Sequence, residues 1–219
     1  PDLLPQGGPL NGRRSAGQTL LWLWSQYSGE DPLTLATSQV LQEDFERYAK
    51  SAGHKGKVNI LDFLDPQSIV PYGSLFLPDP SIGRWAQWRS QTGSANFSLI
   101  GQIHTLSTPA SMGLLQELVT EPVKPWDAVV CSSQAGKAVV ETVMQDREEQ
   151  LLNRLNINDL KVLERPYLPV IPLPIATNHI RDQLPSKTCA RKELEIDNNS
   201  HVVLWLGRLS MLTKADPWP

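Results

Sequence analysis

Residues 97–133 read FSLIGQIHTLSTPASMGLLQELVTEPVKPWDAVVCSS, a stretch that contains a full strand–helix–strand pattern. The first apolar run is Phe97–Ile103, and a second run, Asp127–Cys131, closes the stretch. Between them, Thr108 followed by Pro109 predicts a helix start, with a capping hydroxyl and a proline in the first turn. Two such runs joined by a helix are typical of a parallel βαβ unit.

The same alternation continues in both directions along the chain. The expected helices are Arg13–Tyr27, one beginning at Ser38, a short one over Ile82–Trp88, a long one capped by Ser132 and Ser133 that runs to about Leu155, and Lys187–Leu194. The other expected strands are Pro32–Thr37, Val58–Phe63 and Ser74–Leu77. Strands and helices in this alternation predict an α/β fold with a Rossmann-like, doubly wound parallel sheet.

A cluster of four prolines within residues 166–174 interrupts the alternation. Segments rich in proline are stiff and extended, and they suit linkers. We therefore expect a Rossmann-like domain over residues 1–172, followed by a linker and the first strand of a second Rossmann-like domain over residues 173–219. Because the chain begins at Pro1 rather than methionine and stops soon after that strand, we expect a fragment of a longer protein.

Composition narrows the class of protein. The 219 residues are 40% hydrophobic and 20% charged, with a net charge of −3, so the chain can bury a core. The lack of a basic block argues against nucleic acid as the main partner. The apolar runs are too short to span a bilayer, and two cysteines, Cys131 and Cys189, fit a cytoplasmic location better than a disulfide framework. We expect Cys131 to be a small core residue.

His104 directly follows the expected strand Phe97–Ile103. The carboxyl end of a strand is where an open α/β sheet presents functional groups. Gly101, Ser107 and Thr108 are small, and we expect them to leave room around the imidazole. The other interpretation is a turn histidine bonded to a nearby carbonyl, and the residues alone favour it.

Two cations follow the last apolar run of the chain. Val202–Leu206 is closed by Gly207, which predicts a strand buried on both faces. Arg208 and Lys214 lie just beyond it. Arginine presents a planar fork to phosphate oxygens and lysine a mobile point charge, so the pair predicts a site for a phosphorylated ligand. The alternative is a solvated turn with two unrelated surface charges.

Two glycine-containing segments lie near the start of the chain. Gly7 and Gly8 form a pair whose backbone amides can approach an anion, although an unstructured terminus explains them equally well. Gly12–Thr19 resembles a phosphate-binding P-loop, but Gln18 stands where that motif requires lysine. We therefore expect the first turn of a helix there rather than a nucleotide hydrolase. Neither the histidines nor the cysteines are spaced for a metal site.

Four segments, taken in order, resemble GT-B glycosyltransferases of the retaining, family-4 type. They are Gln102–His104, Asp127–Ser133, Val170–Ile175, and Arg191–Ile196 followed by Val202–Leu209. They are similar to the family's acceptor-domain histidine, its aspartate–strand–serine segment, its valine-isoleucine-proline crossover and the first strand of its donor domain. Gly7 and Gly8 resemble the family's glycine loop.

The resemblance implies transfer of a sugar from a nucleotide diphosphate sugar to a sugar, lipid or glycan acceptor, with retention of configuration and without metal or cofactor. Arg208 and Lys214 would bind the diphosphate and stabilise the charge of the leaving group. His104 would orient the donor sugar, and Gly7 and Gly8 would bring amides near the phosphate or the acceptor. The resemblance leaves peripheral membrane association open.

The chain departs from the family pattern in two ways. The family commonly has one residue fewer between this arginine and lysine, so Lys214 would be displaced. The family's Glu-x7-Glu donor segment would lie beyond Pro219, so we expect the fragment itself to be inactive. The competing class is a non-catalytic α/β module that binds a phosphorylated ligand or a protein partner.

Overall fold

A computed structural model describes most of the chain. The described residues are 12–37, 42–106, 108–157, 163–174 and 184–204. The chain divides into two units, Pro1–Ile175 and Ala176–Pro219. The first unit is mixed α/β, with short parallel strands between helices, an arrangement compatible with a Rossmann-like fold.

Helices and strands alternate along the first unit. In chain order they are α1 (Gly12–Tyr27), β1 (Leu33–Ala36), α2 (Gln42–Ser51), β2 (Val58–Leu61), a 3₁₀ helix (Pro66–Tyr72), β3 (Ser74–Phe76), α3 (Ile82–Arg89), β4 (Ser98–Gln102), α4 (Pro109–Thr120), β5 (Ala128–Val130) and α5 (Gln134–Leu155). The helices and strands expected in this part of the chain are confirmed, except that the expected helix start at Ser38 lies outside the described residues. Thr108 Oγ1 accepts a hydrogen bond from the Ser111 amide at 3.2 Å, and Ser133 Oγ accepts one from the Gly136 amide at 3.0 Å, so both expected caps form.

The strands form two parallel sheets. In the smaller sheet β1 pairs with β2, and Leu33 lies opposite Val58. In the larger sheet the order is β3-β4-β5, with Phe76 opposite Ile100 and Ile100 opposite Ala128. All three pairings are parallel, so the expectation of parallel α/β units is confirmed. Within the described residues the two sheets are separate.

The proline-rich segment 163–174 adds an edge to the larger sheet. The Tyr167 amide donates to the Asp127 carbonyl at 2.7 Å, and the Cys131 amide donates to the Pro169 carbonyl at 2.8 Å. Proline has no amide hydrogen, so Pro169 accepts a hydrogen bond from Cys131 without donating one in return, which leaves the pairing of this edge incomplete. Residues 167–171, at the end of the expected first domain, therefore pair with the sheet.

Helices lie on both faces of the larger sheet. Leu99 and Val129 are fully buried on the face covered by α3, α4 and α5. On the other face, the α1 residue Trp24 contacts Phe76 edge-on, with ring centroids 4.9 Å apart, and Ile100 lies in the same row. The remaining fully buried apolar side chains of this core include Ile82, Ile103, Leu115, Leu118 and Val140.

The second unit is described over residues 184–204. It contains one helix there, α6 (Lys187–Glu193), capped by Ser186 Oγ. Residues 201–204 are irregular, and Val203 is 98% exposed. The buried strand expected from Val202 is therefore wrong over residues 202–204, because no described strand pairs with this apolar run. Its remaining residues lie outside the described part of the chain.

Candidate functional site at the carboxyl edge of the sheet

The carboxyl ends of β4 and β5 lie side by side, and the chain leaves them toward the first turns of α4 and α5. The Ile103 amide donates to the Val130 carbonyl at 3.0 Å, which fixes the two strand ends together. His104 follows directly and is half-buried. Ligands of parallel α/β sheets bind at this edge, so we take residues 103–106 and 131–137, here called the carboxyl edge, as the candidate site.

The segment after β4 packs closely on the first turn of α5. A Cβ atom added to Gly136 would lie 2.9 Å from Ile103 Cδ1 and 3.9 Å from Leu106 Cδ1. Glycine at this position lets α5 approach the strand end. Ile103 and Leu106, which precede and follow His104 in this segment, both reach Gly136, so the segment packs on the N-terminal turn of α5.

The carboxyl edge carries partial positive charge. The first turns of α4 and α5 present amide hydrogens that have no partner within the helix, and each helix dipole adds to their charge. Thr108 and Ser133 each satisfy one of these amides. Lys137 adds a cation near the same turn of α5, and its Nζ lies 3.7 Å from Glu141 Oε1. An anion or a hydroxyl-rich ligand would meet several donors here.

Cys131 directly follows β5 and is too buried to act as a nucleophile. The side chain is fully buried and unpaired with another cysteine. Burial raises the pKa of the Cys131 thiol, and nearby Lys137 lowers it by less. A thiol kept neutral and away from solvent is a core side chain, which confirms the expectation from the sequence.

Gly101 has a different role from the one expected. Instead of leaving room around His104, it makes space for the turn between β3 and α3. A Cβ atom at this position would lie 2.8 Å from both the Asp79 carbonyl oxygen and Ile82 Cγ2. The Gln102 amide donates to the same carbonyl at 3.2 Å. Glycine is therefore required because backbone crosses directly over β4.

A buried ion pair occupies the opposite, amino edge of the sheet. Arg89 and Asp127 are fully buried, and their two N–H···O contacts measure 2.6 and 2.8 Å. The Asp127 carboxylate also accepts from the amides of Leu99 and Lys124, both at 2.8 Å. Arg89 donates in addition to the Phe97 carbonyl at 2.8 Å. One carboxylate thus joins α3, β4 and the loop before β5.

The sequence analysis missed this ion pair. It assigned Asp127 to a segment that resembles a family motif and did not single out Arg89. A usable signal was present, because Arg89 lies seven residues after Ile82 and three after Ala86, on the buried face of α3. A charged residue at a buried helical position needs a partner of opposite charge.

His104 is the predicted site residue that the described part of the chain includes. Gly7, Gly8, Arg208 and Lys214 all lie outside it. Their convergence on His104 therefore stays a prediction.

Three further observations bear on the class of site. The segment Gly12–Thr19 lies within α1, so the P-loop interpretation, which needs a loop between strand and helix, is wrong. Among the described residues, no group of three or more His, Cys, Asp or Glu side chains could hold a metal ion. None of the helices in the described ranges is long and apolar enough to cross a bilayer.

No protein-family model matches the chain, and neither a curated protein nor a solved structure matches it.

Proposed function

We propose that this chain is part of a retaining glycosyltransferase of the GT-B, family-4 type, and that its first unit is the acceptor-side domain. The observation that carries the proposal is the position of His104, which follows a parallel strand in a segment whose Ile103 and Leu106 pack on the first turn of α5. The four-segment resemblance supports it. In this proposal the two parallel sheets belong to one doubly wound sheet, an idea supported by helices on both faces of the larger one.

Each predicted site residue has a role in the proposed transfer. Arg208 and Lys214 hold the diphosphate of the nucleotide sugar, and their charges stabilise the leaving group as the bond to the sugar breaks. His104 contacts the donor sugar and orients it. Gly7 and Gly8 bring backbone amides to the phosphate or the acceptor. The reaction uses no metal, and the protein acts in the cytoplasm on a sugar, lipid or glycan.

A turnover assay on the full-length protein that contains this chain tests the proposal. A panel of nucleotide diphosphate sugars is incubated with it, and release of the nucleotide diphosphate is measured. We expect one donor to be consumed. Arg208→Ala should lower that turnover by at least about a hundredfold, the size of effect that follows loss of a charge partner in the transition state.

His104→Ala extends the same assay to the carboxyl edge. Loss of an orienting contact should lower turnover by about a hundredfold. Gln87→Ala, which changes an exposed residue of α3, serves as the matched control and should leave the rate unchanged. Donor turnover that survives both His104→Ala and Arg208→Ala would contradict the proposal.

The second candidate is a non-catalytic module that binds a phosphorylated ligand. The first turns of α4 and α5 favour it, because their amides supply partial positive charge without requiring a reaction. The two candidates differ in outcome: the module would bind a nucleotide diphosphate or a phosphorylated compound but release no product from any nucleotide sugar.

A further inference from the structure

A depression beside α3 is lined mainly by aromatic and apolar side chains. Its walls are Phe63, Leu64, Arg84, Trp85 and Trp88, and its volume is about 190 Å³. The rings of Trp85 and Trp88 meet edge to face, with centroids 5.0 Å apart and planes at 80°. We call these five residues the aromatic depression. It is separate from the carboxyl edge around His104.

The aromatic depression contacts the hydrophobic core on one side and is open to solvent on the other. Trp88 also meets Phe97 of the core, with ring centroids 6.2 Å apart, and both indoles are half-buried. Phe63 and Leu64 lie in the loop after β2 and are 37% and 70% exposed. Aromatic surface of this kind is therefore preformed and reachable by a ligand.

The charge around the aromatic depression is negative. Glu117 compensates Arg84, because it accepts from Nε at 3.0 Å and from Nη2 at 2.9 Å, and this contact raises the pKa of Arg84. Asp62 and Asp65 flank Phe63 and Leu64 in the chain and are both exposed. Carboxylates next in the chain to two walls of the depression disfavour an anion and favour a cation.

We propose that the aromatic depression binds a small alkylated ammonium ion from solution, of the size of tetramethylammonium or choline. The faces of aromatic rings carry negative charge density that attracts such ions. Perpendicular rings enclose a compact ion better than a flat sugar ring, which would stack on a single face. The depression has the volume of about six water molecules, which suits one small ion.

Magnetic resonance of the isotope-labelled full chain tests the proposal. The indole N–H signals of its seven tryptophans are followed while tetramethylammonium or choline is added at constant ionic strength. We expect saturable shifts at Trp85 and Trp88. The neutral isostere of choline, with carbon in place of nitrogen, should bind at least about threefold more weakly, because it lacks the attraction between cation and ring.

Two conservative variants separate the contributions of ring and charge. Phe63→Leu keeps apolar bulk and removes one ring, and Asp62→Asn keeps the oxygen that accepts from the Leu64 amide and removes the charge. Each should weaken binding by about twofold or more. Tyr72→Leu changes an exposed aromatic residue elsewhere and should leave binding unchanged. If a variant fails to fold, the comparison of choline with its isostere on the unaltered chain decides.

Several results would overturn the proposal. Equal affinity for the neutral isostere would show that the depression is merely apolar. Saturable shifts with glucose in place of the ammonium ions would identify a sugar site, and binding to phosphatidylcholine vesicles but not to free ions would identify a membrane contact. A lack of shifts at Trp85 and Trp88 would show that the depression does not bind these ions.

Discussion

The amino and carboxyl edges of the larger sheet differ in how their polar groups are buried and paired. At the amino edge, Asp127 and Arg89 are fully buried, and the carboxylate is saturated by the guanidinium and two backbone amides. At the carboxyl edge, His104 is half-buried and follows directly on β4, in the same edge as the first turns of α4 and α5, whose amides have no partner within the helix. Polar groups that satisfy one another hold the fold together, whereas donors at an open edge are available to a ligand. We therefore expect substitutions at the amino edge to lower stability and His104→Ala at the carboxyl edge to lower activity with little loss of stability.

The largest expected loss of stability comes from removing the Asp127 carboxylate at the amino edge. Asp127→Ala leaves Arg89 buried without a counter-charge, so we expect the free energy of unfolding to fall by about 3–5 kcal/mol, measured by denaturant unfolding. Replacing the pair together, with Arg89→Met and Asp127→Leu, removes the unpaired charge and should recover part of that loss, but not all of it, because the amides of Leu99 and Lys124 still lose their acceptor. As a control, Arg47→Ala removes the exposed partner of Asp44 and should cost less than about 1 kcal/mol. Equal losses from the buried and the surface pair would contradict this account.

Gly101→Ala should give the next largest loss of stability. The new methyl group would press on the backbone of the turn between β3 and α3, at a cost of about 2 kcal/mol. Gly113→Ala is the matched control, because open space surrounds that α4 position and alanine favours helix, so it should stabilise by about 0.5–1 kcal/mol. Thermal unfolding of both variants measures the difference, and a stable Gly101→Ala variant would show that the turn can move.

Removal of either helix cap at the carboxyl edge should have a smaller effect. Thr108→Ala and Ser133→Ala each leave one amide of α4 or α5 without its hydroxyl partner, which should lower the free energy of unfolding by about 1 kcal/mol. Thr108→Ser and Ser133→Thr keep the hydroxyl and should restore most of it. Chemical denaturation is the measurement, and losses that the hydroxyl variants do not repair would contradict the capping explanation.

The smallest expected change in stability is that of His104→Ala. A half-buried side chain at the open edge should contribute less than about 1 kcal/mol to unfolding, although the same variant is expected to lose turnover in the full-length protein. Unfolding and turnover are measured on the same preparation of the full-length protein, so that a loss of activity can be distinguished from a loss of stability. A loss of stability comparable to that of Asp127→Ala would place His104 in the fold rather than in the site.

Local features of the fold could be predicted from the sequence because their causes are local. Thr108 and Ser133 are followed by helical patterns, and the caps form where the residue types require them. Strands such as Ala128–Val130 are short apolar runs closed by capping residues. Each of these predictions depends on neighbours within a few positions.

Features that depend on distant residues could not be predicted in the same way. Arg89 and Asp127 are 38 positions apart, and the sequence around either residue does not indicate which residue is its partner. The crossing of the β3–α3 turn over Gly101 depends on tertiary packing. Val202–Leu204 shows the converse, since its apolar residues predicted burial, yet they are exposed in the structure because no described strand covers them.

The prolines beside β5 also determine how the sheet can meet other molecules. Tyr167 and Ile171 direct their amides toward β5, so the amides of the alternate positions 166, 168, 170 and 172 face outward. Pro166 and Pro172 have no amide hydrogen to offer. A strand from a second copy would find outward donors at positions 168 and 170 but not at 166 or 172, which flank them, and this discourages self-association by sheet extension.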